Sequence, residues 1–306
     1  MDATFPTSSS GTRPTKYCVS GYPGKDIAIP DNFARGLLGL QQSLNMPLWL
    51  LVQNGQDHDS VDDEALRSFW NSKGEFTTGE KVALIVDSPG GFAKCAYQIA
   101  RFLKKRCGGF VAVVPESAKS AATLLVLGAD QIILGQYAEL GPLDVQLYDR
   151  EREDYGSALN EVQALDRLHA FALQAIDSAM LLTSRRAGMT IKAALPGWQS
   201  FVAEMMRPLI EKIDTVHYTQ SSRQLKVAEE YAIRLLRPKY GQQIASKIAR
   251  SLVHQYPEHA FFIDAEEAAS IQLETSEPDA DQEAAMDLMV DALKADSFIG
   301  KFQEMT

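Results

Sequence analysis

Four short apolar runs constrain this 306-residue chain more than any other feature. Leu48 to Val52, Val82 to Val86, Phe110 to Val114 and Gln131 to Leu134 lack the polar alternation of a half-solvated strand. Strands covered on both faces read this way. Two of the runs lead through tight turns into helical segments. Asp87-Ser-Pro-Gly-Gly91 opens an amphipathic stretch, Phe92 to Arg106, with basic residues in its last turn, and Pro115 to Lys119 precedes an apolar helix of small residues, Ser120 to Gly128. Strands alternating with helices at this spacing predict right-handed βαβ crossovers stacked into a parallel sheet, an α/β fold.

The flanks read differently. Residues 1–25 are rich in Ser, Thr and Pro, a flexible leader, and a helix is expected from near Asp26 to Ser43. Asn54 to Asp63 reads as an exposed acidic loop before a helix over Asp62 to Trp70. From about residue 150 the periodicity is helical: Ala158 to Arg186, Thr190 to Glu211 with a break at Pro196-Gly197, Val216 to Leu236 and Gly241 to His254. One domain over 26–273 is therefore expected, with an acidic tail over 274–306 carrying one amphipathic helix, Ala284 to Leu293. A hydrophobic content of 45% is enough for a large core.

Charge and cysteine count exclude several classes. A net charge of -10 leaves no global electrostatic case for a nucleic-acid partner, since phosphate binding draws mainly on clustered Lys and Arg. Cys18, Cys95 and Cys107 form no CxxC pair, so neither a disulfide framework nor a zinc site is expected, and the chain fits a reducing cytoplasm. No metal or other cofactor is called for. The apolar runs fall far short of the roughly 20 residues that span a bilayer, so no integral membrane segment is expected, and Met1 to Lys16 lacks the features of a signal peptide.

Ser120 stands where a strand has ended and a helix begins. Unpaired N-H groups at such a point stabilise an oxyanion, so the serine can attack a carbonyl while the Ala121 N-H holds the negative oxygen. An ordinary N-cap serine is the competing reading. Gly90 and Gly91 also follow a strand and open a helix, and without a Cβ the Gly91 N-H can approach a ligand closely. No Gly-Lys-Ser or Gly-Lys-Thr follows, so this is not a Walker loop. Two consecutive βα turns share the carboxyl edge of a parallel sheet, where ligands of such folds bind. Asp87 is expected to fix the glycine loop.

Asp87-Ser-Pro-Gly-Gly91 resembles the oxyanion loop of Clp proteases and signal peptide peptidase A. Pro115-Glu-Ser-Ala-Lys-Ser-Ala-Ala-Thr123 and Gly128-Ala-Asp130 resemble the nucleophile helix of those families and the Ala-Asp pair after it. Leu140-Gly-Pro-Leu-Asp-Val-Gln146 and Tyr256-Pro-Glu-His259, continuing to Asp264 and Glu266-Glu-Ala268, resemble signatures of the serine dehydrogenase proteinase branch. The resemblance spans roughly Leu48 to Leu273 and implies a Clp/crotonase-type parallel βαβ core with a helical C-terminal half. It makes Ser120 the nucleophile and gives the oxyanion hole to the N-H groups of Gly91 and Ala121. Ala122 and Val145 depart from the family's Gly and Pro.

A serine hydroxyl needs a neighbouring base, and here alternatives stay open. His259 is the candidate base; Asp144, after a Gly-Pro turn, is the candidate carboxylate to orient an imidazole, with capping or shaping that turn as the competing reading. Lys192 is the alternative base if a helix desolvates it. His169 reads as a packed core histidine and Lys119 as solvated. The resemblance implies a serine peptidase acting on a peptide or protein substrate through a Ser120 acyl-enzyme. A catalytically silent scaffold that binds a partner protein and crotonase-type chemistry on an acyl-coenzyme A are the alternatives. Relatives of this fold assemble into rings or stacked trimers, which implies a homo-oligomer, with Val216 to Leu236 and the N-terminal helix as contacts.

Overall fold

The computed structural model describes residues 17–21, 25–54, 59–149 and 154–304. In chain order the elements begin with β1 (Tyr17–Gly21), β2 (Lys25–Ala28), α1 (Asp31–Leu44), β3 (Leu48–Val52), α2 (Asp63–Asn71), β4 (Val82–Asp87) and α3 (Ala93–Cys107). β5 (Phe110–Val114), β6 (Ser117–Ala118), α4 (Ala121–Val126), β7 (Gln131–Leu134) and β8 (Glu139–Leu140) follow. Then come β9 (Gln146–Asp149), β10 (Asp154–Ser157), α5 (Ala158–Ala187), α6 (Ile191–Ile210) and α7 (Thr215–His254). The chain ends with α8 (Ala265–Ser270), α9 (Ala280–Asp287), α10 (Val290–Ala295) and β11 (Phe298–Glu304). Two compact units result, one of residues 1–141 with 262–306 and one of residues 142–261.

The first unit is built on a seven-stranded sheet of order β2-β1-β11-β3-β4-β5-β7. The four predicted apolar runs are its parallel strands β3, β4, β5 and β7. Their alternate residues face two layers. Leu48, Leu50 and Val52 join Ala83, Ile85, Val111 and Val113 under α1 and α9, whereas Trp49 points the other way and stacks on Phe76 at 3.8 Å.

The edges of this sheet depart from expectation. Tyr17–Gly21 falls inside the expected leader, yet it is a strand, antiparallel to β11 and to β2. Lys25–Ala28 is β2, so the helix does not start at Asp26. The reason is Pro30: the residue before a proline is driven out of the helical region, and α1 begins only after Pro30 at φ -59. The expected acidic tail supplies β11, paired between β1 and β3, with Phe298 buried on Phe33 at 4.9 Å. Residues 274–306 are therefore part of the core unit, and the helix expected over Ala284 to Leu293 is divided between α9 and α10. In the expected exposed loop, residues 55–58 lie outside the described residues, and Val61 near its end is fully buried.

The second unit holds the helical segments. α6 runs unbroken through Pro196, contrary to the expected break. Proline there removes one hydrogen bond, that to the carbonyl of exposed Lys192, which water can satisfy. The break in α7 falls at Gly241, at φ 74. Beyond it the chain turns back, so that Arg250 reaches the buried carboxylate of Glu229 at 3.3 Å.

Candidate active site

The turns after β4 and β5 are laced together by backbone bonds. Ser88 bridges Ala118 in parallel, its N-H donates to the Ser117 carbonyl at 3.0 Å, and the Lys119 N-H donates to the Ser88 carbonyl at 3.0 Å. The Asp87 carboxylate accepts the Ser117 N-H at 2.9 Å. Asp87 thus ties the strand that feeds the glycine turn to the strand that feeds Ser120. Burial pushes its carboxyl up to about 7; the Ser117 N-H opposes this, and the nearby Glu116 charge adds to it.

The glycine turn is held from below and from the side. The buried Ser88 hydroxyl donates to Gln53 Oε1 at 2.7 Å and accepts the Gly90 N-H at 3.1 Å. Gln53 in turn donates to Asp59 at 3.1 Å and to the Ser60 carbonyl at 2.6 Å. Val61 forms a parallel bridge to Gly91, donating to the Gly90 carbonyl at 2.7 Å and accepting the Phe92 N-H at 2.8 Å.

The two glycines serve different contacts. A Cβ on Gly90, at φ 104, would stand 2.6 Å from the Lys119 oxygen, 2.9 Å from Ser120 Cβ and 3.0 Å from the Ala121 nitrogen. On Gly91, at φ 149, it would stand 2.7 Å from Val61 backbone atoms. Gly90 therefore backs onto the serine and Gly91 onto Val61. Sequence reasoning gave a site role to Gly91 and none to Gly90, because two adjacent glycines carry no mark of which one the neighbouring turn will meet.

Ser120 adopts φ 48 and ψ -115. An L-residue enters such a region at a cost of about 1–3 kcal/mol, and such residues persist only where their surroundings fix them. An N-cap has extended dihedrals and a side chain that accepts an N-H of the first turn. Ser120 has neither, and its half-buried hydroxyl makes no capping bond. The Ala122 N-H donates to the Lys119 carbonyl at 2.8 Å and the Leu124 N-H to the Ser120 carbonyl at 3.1 Å. Among the described turn and loop bonds, the N-H groups of Ala121 and Gly91 have no backbone acceptor. α4 has only six residues, so stabilisation of an anion there rests on individual N-H groups rather than on a summed helix dipole.

Three further residues brace the serine. Buried Thr123 lies 2.6 Å from the Ala118 carbonyl and 2.9 Å from the Gly141 carbonyl, and its oxygen accepts the Gly141 N-H at 3.0 Å. Gly141 lies so close that a Cβ would stand 2.8 Å from Lys119 Cδ and 3.3 Å from the Ser120 nitrogen. Lys119, expected to be solvated, is instead partly buried and paired with Glu139 at 2.6 Å. Ala122 is fully buried, its extra methyl absorbed by the core.

Within the second unit, Asp144 Oδ1 and His259 Nδ1 are hydrogen-bonded. The predicted orienter and the predicted base are thus brought together, with Asp144 buried and His259 partly exposed. An imidazole that donates through Nδ1 keeps Nε2 as a proton acceptor. His169, expected in a core, is exposed on α5, because the helix presents that face to solvent. Lys192 is exposed in the first turn of α6 and lacks the burial on which its role as a base depends. A groove of about 380 Å³ lined by Trp70, Gln98, Arg101, Phe102, Lys105 and Arg106 on α2 and α3 contains none of these groups.

A mixed sheet with a parallel βαβ core, carrying a glycine turn and a serine turn side by side, is consistent with a ClpP-like fold. Residues 63–166 match the family of ClpP-like SDH-type serine proteinases. That stretch holds Gly90, Gly91, Ser120, Ala121 and Asp144, whereas Lys192 and His259 lie beyond it. The chain is also similar to two uncharacterized proteins of Methanocaldococcus jannaschii. MJ0137 is 26% identical over 193 residues, 63% of this chain and 52% of that protein. MJ1495 is 26% identical over 181 residues, 58% of this chain and 47% of that protein. The chain spans about half the length of these curated relatives.

Proposed function

We propose that the protein is a serine peptidase that hydrolyses peptide bonds through an acyl-enzyme on Ser120. The observation that carries this reading is the backbone of Ser120, held at φ 48 against Gly90 with its hydroxyl left out of the capping role. In the proposed reaction Ser120 Oγ attacks the peptide carbonyl and His259 Nε2 takes its proton. The N-H groups of Gly91 and Ala121 hold the oxyanion of the tetrahedral intermediate. The imidazolium returns the proton to the leaving amine, and water releases the acyl group by the same steps.

Asp144 serves as the orienter of His259, a role supported by the bond between them. The match to a serine proteinase family over residues 63–166 agrees with this chemistry.

The test is the intact mass of the wild type and of Ser120→Ala after treatment with a fluorophosphonate. One adduct, mapped to Ser120 and absent in the variant, is expected. No adduct under conditions that label a known serine peptidase would overturn the reading and leave a Clp-fold scaffold that binds a partner protein.

A further inference from the structure

Apolar side chains exposed to water cluster at one end of the α5–α6 hairpin. Leu181 and Leu182 near the end of α5, Met189 in the connection and Ile191 at the start of α6 are each about half exposed, between 48% and 58%. The hairpin that presents them is braced: the Trp198 indole N-H donates to Thr183 Oγ1 at 2.8 Å, joining α6 to α5 close behind the tip.

The charge around this end is the opposite of the chain's. Between Asp177 and Glu204 there is no acidic residue, although the protein has 40 of them, and there are three basic ones, Arg185, Arg186 and Lys192. Arg185 and Lys192 are exposed. By the helical rise, Asp177 lies about 15 Å behind the end of α5 and Glu204 about 20 Å from the start of α6. Both distances exceed the screening length of about 8 Å at physiological salt, so along α5 and α6 no carboxylate offsets the basic residues of the tip.

We propose that this tip docks on an anionic membrane surface. Apolar side chains ringed by basic ones suit the boundary between headgroups and acyl chains, where the first enter the hydrocarbon and the second meet lipid phosphates and carboxylates. No helix among the described residues is long and apolar enough to cross a membrane, so the contact is with the surface. A second copy of the chain is the weaker occupant. Meeting about a two-fold axis at the tip, it would set Arg185 and Lys192 against the same charges.

The experiment is co-sedimentation of the full chain with equimolar phosphatidylserine and phosphatidylcholine vesicles, and with phosphatidylcholine alone. Binding to the anionic vesicles only is expected. At about a fivefold contribution per basic residue, Arg185→Gln with Lys192→Gln weakens it about twenty-five-fold. Met189→Ser with Ile191→Ser weakens it as well, and the circular dichroism of both variants stays that of the wild type. Absence of binding, or binding that neither variant weakens, overturns the proposal. So does a concentration-dependent dimer that Met189→Ser with Ile191→Ser dissociates and that binds no vesicles, which would assign the tip to a second copy.

Discussion

Replacing Asp87 by asparagine isolates the cost of burying one acid beneath the serine turn. Asp87 is 7% exposed, and burial raises its carboxyl from 3.8 to about 7. Between those values the folded chain holds a proton that the unfolded chain has released. Stability from this group is therefore full below the unfolded value and is lost as pH rises through about 7. The slope is about 1.4 kcal/mol per pH unit, or about 4 kcal/mol across the window. Asparagine cannot ionise, but its oxygen can still accept the Ser117 N-H that Asp87 accepts at 2.9 Å. Urea unfolding followed by circular dichroism, on both proteins at intervals from about pH 4 to about pH 8, gives the difference in stability at each pH. Other titrating groups cancel in that difference. The variant is expected to gain on the wild type with rising pH, by about 4 kcal/mol in all. A difference that stays flat over the window would refute the argument that burial governs this carboxyl.

Three other outcomes follow from the packing and the hydrogen bonds. Gly90→Ala sets a Cβ 2.6 Å from the Lys119 oxygen at a φ of 104. It should cost about 1–3 kcal/mol in backbone strain and abolish fluorophosphonate labelling of Ser120; full labelling would show that Gly90 does not set the serine. His259→Ala and Asp144→Asn should each slow peptide hydrolysis by on the order of 10²–10⁴, whereas Lys119→Met leaves it within a few-fold. The reverse pattern in steady-state rates would move the base to Lys119. Phe298→Ala removes a buried ring stacked on Phe33 and should cost about 3–5 kcal/mol in urea unfolding, against nearly nothing for a solvated tail.

What the sequence disclosed follows from range. β3, β4 and β5 are covered on both faces, so every residue in them is buried and the pattern is local. β11, Phe-Ile-Gly-Lys-Phe-Gln-Glu, alternates buried and partly buried residues, and its lysine and glutamate pass for a solvated tail until β1 and β3 are known to flank it. β1 was hidden for the same reason, since its partner lies at the other end of the chain. At the site, the serine turn and the glycine turn were both legible as turns, and Asp144 and His259, 115 positions apart, were each legible as candidates within a motif. The bracing by Thr123, Gly141 and Glu139 was not. Those contacts link the serine helix to a segment about twenty residues on, and nothing in a threonine, a glycine or a glutamate announces such a partner.

The place of β11 also bears on how the chain comes off the ribosome. β3 pairs with β4 soon after both are made, but its other edge waits for a strand encoded roughly 250 residues later. At rates of about 5–20 residues per second that delay is roughly 10–50 s. Throughout it, the free N-H and C=O groups of Leu48 to Val52, an all-apolar strand, form an open template for strands of other chains. The N-terminal hairpin of β1 and β2 cannot cover that edge, because its place in the sheet is against β11. Yield of the folded protein is thus tied to protection of one strand edge during synthesis, and slowing translation should increase aggregation even though the native sheet is complete.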